Sequence, residues 1–161
     1  HTNHGVVCLP FGTGNDFSRA IHRQMSPEAI LKATLDQPAI PIDTILVNDE
    51  RYCVNVGCFG LDALIAGVKT LKSAAYVAQF GIKDQDDLID MVILPKVNRL
   101  FAPYYIYKIL RKDLISCKDV VVKQVKECVI TTPAAMNLDG EKKEAAKYHL
   151  VVQPKSLNLV I

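Results

Sequence analysis

The chain has 161 residues, half of them hydrophobic and 22% charged, with eight Gly and eight Pro. That length carries one ordinary domain with a buried core, and that composition excludes a disordered, collagen-like or coiled-coil chain. Nineteen Lys and Arg against seventeen Asp and Glu leave a net charge of +2, too balanced to imply a nucleic-acid partner. In chain order, Gly5 to Leu9 reads as a short buried strand, Pro10 to Asn15 as a glycine-rich loop, and Asp16 to Arg23 as a helix. Ser26-Pro27-Glu28 opens a second helix with a hydroxyl cap, Pro at the first helical position and an apolar stripe of Ile30, Leu31, Thr34 and Leu35, ending before Pro38. From Pro41 the texture becomes β-rich, with Ile42 to Val47 and Tyr52 to Val56 as hairpin strands around Asn48 to Arg51. Leu61 to Ala75 has helical spacing, Leu88 to Leu94 reads as a strand, and Lys96 to Leu110 as a helix distorted at Pro103. Val120 to Val125, Cys128 to Thr132, Ala135 to Leu138, Tyr148 to Gln153 and Leu157 to Ile161 follow as strands, with Asp139-Gly140 a hairpin signal.

No apolar run reaches the roughly 18 residues of a spanning helix, and the first residues lack the layout of a signal peptide. The expectation is a cytoplasmic protein. Five cysteines without Cys-x-x-Cys spacing read as buried thiols, not as a disulfide framework or a zinc site. His1 and His4 give only a weak metal signal.

Three segments can carry chemistry. In Leu9 to Phe17, Gly12 and Gly14 lie between strand and helix, where free backbone N–H groups suit a phosphate; the same residues also read as a plain helix start capped by Asn15 or Thr13. In Asn137-Leu138-Asp139-Gly140-Glu141, two carboxylates flank a glycine. They can orient a hydroxyl and take its proton, particularly if one has a pKa raised by the other or by burial, or the run is an ordinary type I′ turn. Tyr52 to Ala63 passes through Gly57 and Gly60 into a helix with Asp62 near its start, either as part of a site or as a bend and a helix-stabilising acid.

Taken together and in this order, these segments resemble the diacylglycerol kinase catalytic family, which includes bacterial-type lipid kinases, sphingosine kinases and ceramide kinases. The resemblance is carried by Pro-Phe-Gly-Thr-Gly-Asn-Asp-Phe-Ser-Arg-Ala at 10 to 20, by Asn55 to Ala63, by Asp86 to Leu94 and by Asp139-Gly140-Glu141. It implies an α+β chain, with part of an α/β NAD-kinase-like nucleotide lobe in residues 1–40 and a β-sandwich lobe with two helices in 41–161, both partial. It implies ATP- and Mg²⁺-dependent transfer of the γ-phosphoryl group to a hydroxyl of a diacylglycerol-type or sphingoid-type lipid, at a site between the lobes. Gly12, Thr13, Gly14, Asn15 and Asp16 would then serve ATP, and Asp16 a water-mediated Mg²⁺ network. Glu141 would be the base for the lipid hydroxyl and Asp139 its orienting partner, with Asp62 a less certain member. Implied partners are a lipid with a free hydroxyl and, transiently, a membrane surface; a homodimer stays open.

The chain also departs from the family pattern. Leu88 stands where a glycine is usual, the family's Gly-Gly-Asp-Gly-Thr motif is not in these residues, and 76–86 is too short for the strands the family carries there. Either the residues are pieces of a longer chain or they form a shortened, inactive relative; the first is expected, because excision from a β-sandwich uncovers strand edges. The competing functions are a non-catalytic lipid- or partner-binding module and an NAD kinase. Arg99 to Lys112 is aromatic and apolar with basic flanks, which suits an interfacial helix, an acyl-chain doorway, or a helix buried between lobes.

Overall fold

The structure, a computed structural model, describes residues 5–11, 15–23, 25–60, 77–82, 86–94, 99–111, 113–132 and 134–161. The chain divides into two units, His1–Thr44 with Pro154–Ile161, and Ile45–Gln153. The predicted helix at 61–75, and with it Asp62, lies outside the described residues, as do Gly12, Thr13 and Gly14.

In the first unit, the strand expected at Gly5 to Leu9 reduces to one parallel bridge between Val6 and Leu159. Val6 N–H donates to Asn158 O at 2.8 Å and Val160 N–H to Val6 O at 2.9 Å. With Val6 half exposed and no second rung formed, the segment does not propagate as a strand. Helix α1 spans Asp16–His22 and is fastened to the preceding segment by the Ser18 hydroxyl, which donates to Cys8 O at 3.3 Å. Helix α2 spans Pro27–Thr34, and its Ser26 cap accepts Ala29 N–H at 3.2 Å. Of the expected apolar stripe only Ile30 and Thr34 are buried; Leu31 and Leu35 are exposed. Thr34 closes the helix by donating back to Ile30 O at 2.9 Å.

Two antiparallel sheets follow. The first has strand order β2-β1-β10-β7, and the second β6-β5-β4-β3-β8-β9. Strand β1 is Ile40–Val47, β2 is Arg51–Cys53 and β3 is Val56–Gly60; β4 is Val77–Gly81, β5 is Ile89–Leu94 and β6 is Val121–Val125. Glu127–Thr131 forms β7, Met136–Leu138 β8, Glu141–Lys143 β9 and Lys147–Leu159 β10. The β1–β2 hairpin turns through positive φ at Asn48 and Asp49, as its sequence predicts.

Sequence reading missed β4, which pairs with β3 on one side and β5 on the other and makes the six-stranded sheet continuous. It also drew two strands where β10 runs through unbroken. Pairing with β7 ends at Val151 opposite Glu127, so Pro154 removes no donor from that ladder. Beyond it Lys155 takes positive φ and donates its N–H to the buried Asp43 carboxylate at 2.8 Å.

In the second unit the two sheets share one core. Ile45 and Val47 of β1 and Tyr148, Leu150 and Val152 of β10 meet Phe59, Phe80, Ile89, Met91, Met136 and Leu138 of the other sheet. Phe59 is its aromatic centre, 5.1 Å from the Tyr148 ring and 6.0 Å from that of Phe80. Across the β3–β4 pair, Phe80 lies over Gly57, where a methyl group would come within 2.0 Å of the ring. Only glycine admits the ring there. Helix α3, Ala102–Leu110, follows a 3-10 turn at Arg99–Phe101. Pro103 sits in its first turn, where the missing N–H costs nothing, so it starts the helix and does not distort it. All five cysteines are free thiols, with Cys53, Cys58 and Cys117 buried and Cys8 and Cys128 partly so. Among the described residues no helix is long and apolar enough to cross a membrane.

Candidate functional site

In the first unit, Asn15 stands at the mouth of α1 with left-handed backbone, φ 53, and its carbonyl accepts Arg19 N–H at 2.8 Å. It therefore occupies the cap position, yet its side chain makes no capping bond to the helix. Asp16 is the first residue of α1. Phe11, just before the glycines, is exposed.

In the second unit the structure joins the two remaining segments directly. Strand β3 pairs antiparallel with β8, setting Gly57 opposite Leu138, Cys58 opposite Asn137 and Phe59 opposite Met136. Asp139 and Gly140 both take positive φ, 48 and 95, which is the type I′ turn that Asp-Gly favours. The turn is braced by Asn137 Oδ1, which accepts Gly140 N–H at 2.9 Å.

The Asp139 carboxylate has a further role that its sequence position does not reveal. Its Oδ2 accepts Val54 N–H at 2.7 Å, and its Oδ1 accepts Asn55 N–H at 3.0 Å and Val56 N–H at 2.8 Å. The Cys53 thiol donates to Oδ1 at 3.4 Å, and Asp139 N–H donates back to Val56 O at 3.0 Å. These bonds account for a second departure from the sequence reading. Tyr52 to Val56 is not one strand but breaks at 54 and 55, because three successive N–H groups turn onto one anion. Burial, and then the Asp139 charge, push the Cys53 thiol far above its ordinary value, so it is not a nucleophile at neutral pH.

Glu141 begins β9 and is exposed. Its carboxylate faces Lys143 Nζ at 3.2 Å and Arg51 Nη1 at 3.6 Å. Its pKa is lowered, first by the hydrogen bond from Lys143, then by the Lys143 charge and that of Arg51. Glu141 thus carries a lowered and not a raised pKa, and the two acids have separate partners.

Lys143 is itself held in place: the Tyr148 hydroxyl donates to Lys143 O at 3.1 Å while accepting Ala145 N–H at 2.8 Å. Sequence reading overlooked both cations. Lys143 was legible, since residues two apart on a strand share a face; Arg51 was not, because only the β1–β2 register brings it near. Among the described residues no group of three His, Cys, Asp or Glu side chains is arranged to hold a metal.

No protein-family model matches the chain. Over 68 residues, 41% of this chain, it is 40% identical to a protein of Serratia proteamaculans (strain 568) named "Probable lipid kinase YegS-like". That alignment spans about a fifth of the relative, 22% of its length. Among solved structures, a provisionally assigned diacylglycerol kinase of Bacillus anthracis str. Sterne superposes on 97% of this chain and 69% of its own, with a TM-score of 0.68 at 16% identity. A diacylglycerol kinase from the same organism gives a TM-score of 0.64 at 13% identity, over 97% of this chain and 66% of its own. At such identities the agreement is one of fold.

Proposed function

We propose that this chain, diacylglycerol kinase-like in its motifs and its fold, carries part of the machinery of an ATP- and Mg²⁺-dependent lipid kinase. The reaction is transfer of the γ-phosphoryl group to a hydroxyl of a diacylglycerol-type or sphingoid-type lipid. Residues Gly12 to Asp16 serve the nucleotide, and Glu141 serves the acceptor hydroxyl.

The observation that carries the reading is the bonding of Asp139 to residues 53–56, which couples two segments that match the family in sequence but lie far apart in the chain. Asp139 acts as a positioning residue. It fixes the I′ turn, and with it the first residue of β9, through backbone N–H groups and not through the substrate.

The low pKa of Glu141 keeps its carboxylate ionised near neutral pH, where it accepts a hydrogen bond from the hydroxyl and aims the oxygen. A weak base suffices, because phosphoryl transfer depends chiefly on positioning and charge neutralisation and needs little prior proton removal. Both Asp139 oxygens accept backbone N–H groups, whereas Lys143 and Arg51 meet Glu141 through Oε2. Mg²⁺ would be held by nucleotide phosphates, water and Asp16, as this ion commonly is. Bound there, Mg²⁺ supplies charge neutralisation at the transferring group.

The test is lipid phosphorylation by the full-length protein carrying Glu141→Gln or Asp16→Asn, with circular dichroism to establish that each is folded. Loss of a positioned acid or acceptor lowers turnover by roughly 10²- to 10⁴-fold. Wild-type turnover in both folded variants would contradict the assignment.

A further inference from the structure

We infer that the outward face of α3 is a docking surface for an anionic phospholipid bilayer. The inner face of the helix is accounted for: Tyr105 packs with Leu94, Leu114 and Cys117, flanked by Ile106 and Ile109, and its hydroxyl donates to Asp119 at 2.8 Å. The outer face of a helix on a water-soluble domain is normally polar. Here it presents Phe101 60% exposed, Tyr107 53% and Leu110 66%, with Tyr104, Leu100 and Ile115 also exposed. Large apolar side chains at consecutive outward positions form a patch, in contrast to the scattered apolar residues of an ordinary surface.

Charge selects the occupant. Residues 99–119 hold five Lys and Arg against two Asp, a net +3, while the whole chain carries +2. Both acids are committed inside the segment, Asp113 to Lys108 and Asp119 to the Tyr105 hydroxyl. Arg111 lies over the Tyr107 ring, 5.3 Å from its centroid, so a cation sits within the aromatic face itself. Tyrosines with an arginine among them suit the headgroup layer, with Phe101 and Leu110 reaching the acyl boundary. A second copy is the poorer occupant, since a two-fold pairing of this face brings two positive segments together.

Co-sedimentation of the full-length protein with vesicles, without nucleotide, tests the inference. The probes are phosphatidylcholine vesicles and vesicles in which phosphatidylglycerol replaces about a third of it, enough to give a negative surface potential. Binding is expected to the anionic vesicles only and to fall with added salt. The triple variant Phe101→Ser/Tyr107→Ser/Leu110→Ser lowers partitioning about tenfold or more. Arg111→Ala lowers it about fivefold, and it decides the matter should the triple variant fail to fold.

Unchanged partitioning of folded variants overturns the inference, as does equal binding to both vesicle types. So does a wild-type dimer that the triple variant dissociates, with no vesicle binding by either. The readout involves neither ATP nor turnover, so it can fail while lipid phosphorylation stands, and hold while phosphorylation fails.

Discussion

At the scale of single residues, the most informative group is the Asp139 carboxylate. Its backbone partners lie 83 to 85 positions away in sequence. The Asp-Gly turn was legible, because its positive φ values follow from local chemistry; the anion's second task was not, because it depends on which strand neighbours β8. Hydrogen bonds to a charged group contribute about 1.5–3 kcal/mol each when they cannot be replaced by water. Here water can replace part of that, so Asp139→Ala is expected to lower stability to urea by about 2 kcal/mol. A loss near zero would mean the 53–56 bend holds itself.

Glu141 gives a pH-dependent counterpart. Its folded-state pKa lies below the ordinary glutamate value because of Lys143 and Arg51. Its ion pairs therefore stabilise the fold above that ordinary value, and the contribution disappears as pH falls through the lowered one. Lys143→Ala is predicted to move the Glu141 titration, followed by NMR, upward toward the ordinary value; an unmoved titration would show that Lys143 is not its main partner.

At the scale of elements, local signals were enough wherever an element closes on itself. The Ser26 cap and Pro27 start α2 as read, and the β1–β2 hairpin turns at Asn48 and Asp49. Signals failed where an element exists because of its neighbours. Val77 to Gly81 lacks a regular alternation of its own, and becomes β4 because β3 and β5 offer ladders on both sides.

Gly57 belongs to the same scale. Its sequence neighbours suggest a bend, yet it lies within a strand, and its reason is the Phe80 ring on the adjoining one. Phe80 is buried and cannot withdraw, so Gly57→Val is expected to lower stability by about 1–3 kcal/mol through overpacking. A melting temperature equal to wild type would show that the β3–β4 pair has slack.

At the scale of the whole molecule, the α+β class and the β-rich character beyond residue 41 follow from the strand-forming runs. The order of strands does not. Strand β8 lies next to β3, and no local pattern encodes that choice; burying Met136 and Leu138 beside Phe59 does. The resemblance to lipid kinases was legible because its motifs come in a fixed order, and a solved structure of like fold superposes on 97% of the chain.

Phosphoryl transfer to a lipid is read out by incubating the full-length wild-type protein with γ-labelled ATP and vesicles containing diacylglycerol or a sphingoid base. A labelled lipid is expected that forms with Mg²⁺ and is lost when a chelator removes the ion. A folded, full-length protein that labels neither lipid would contradict the proposed function.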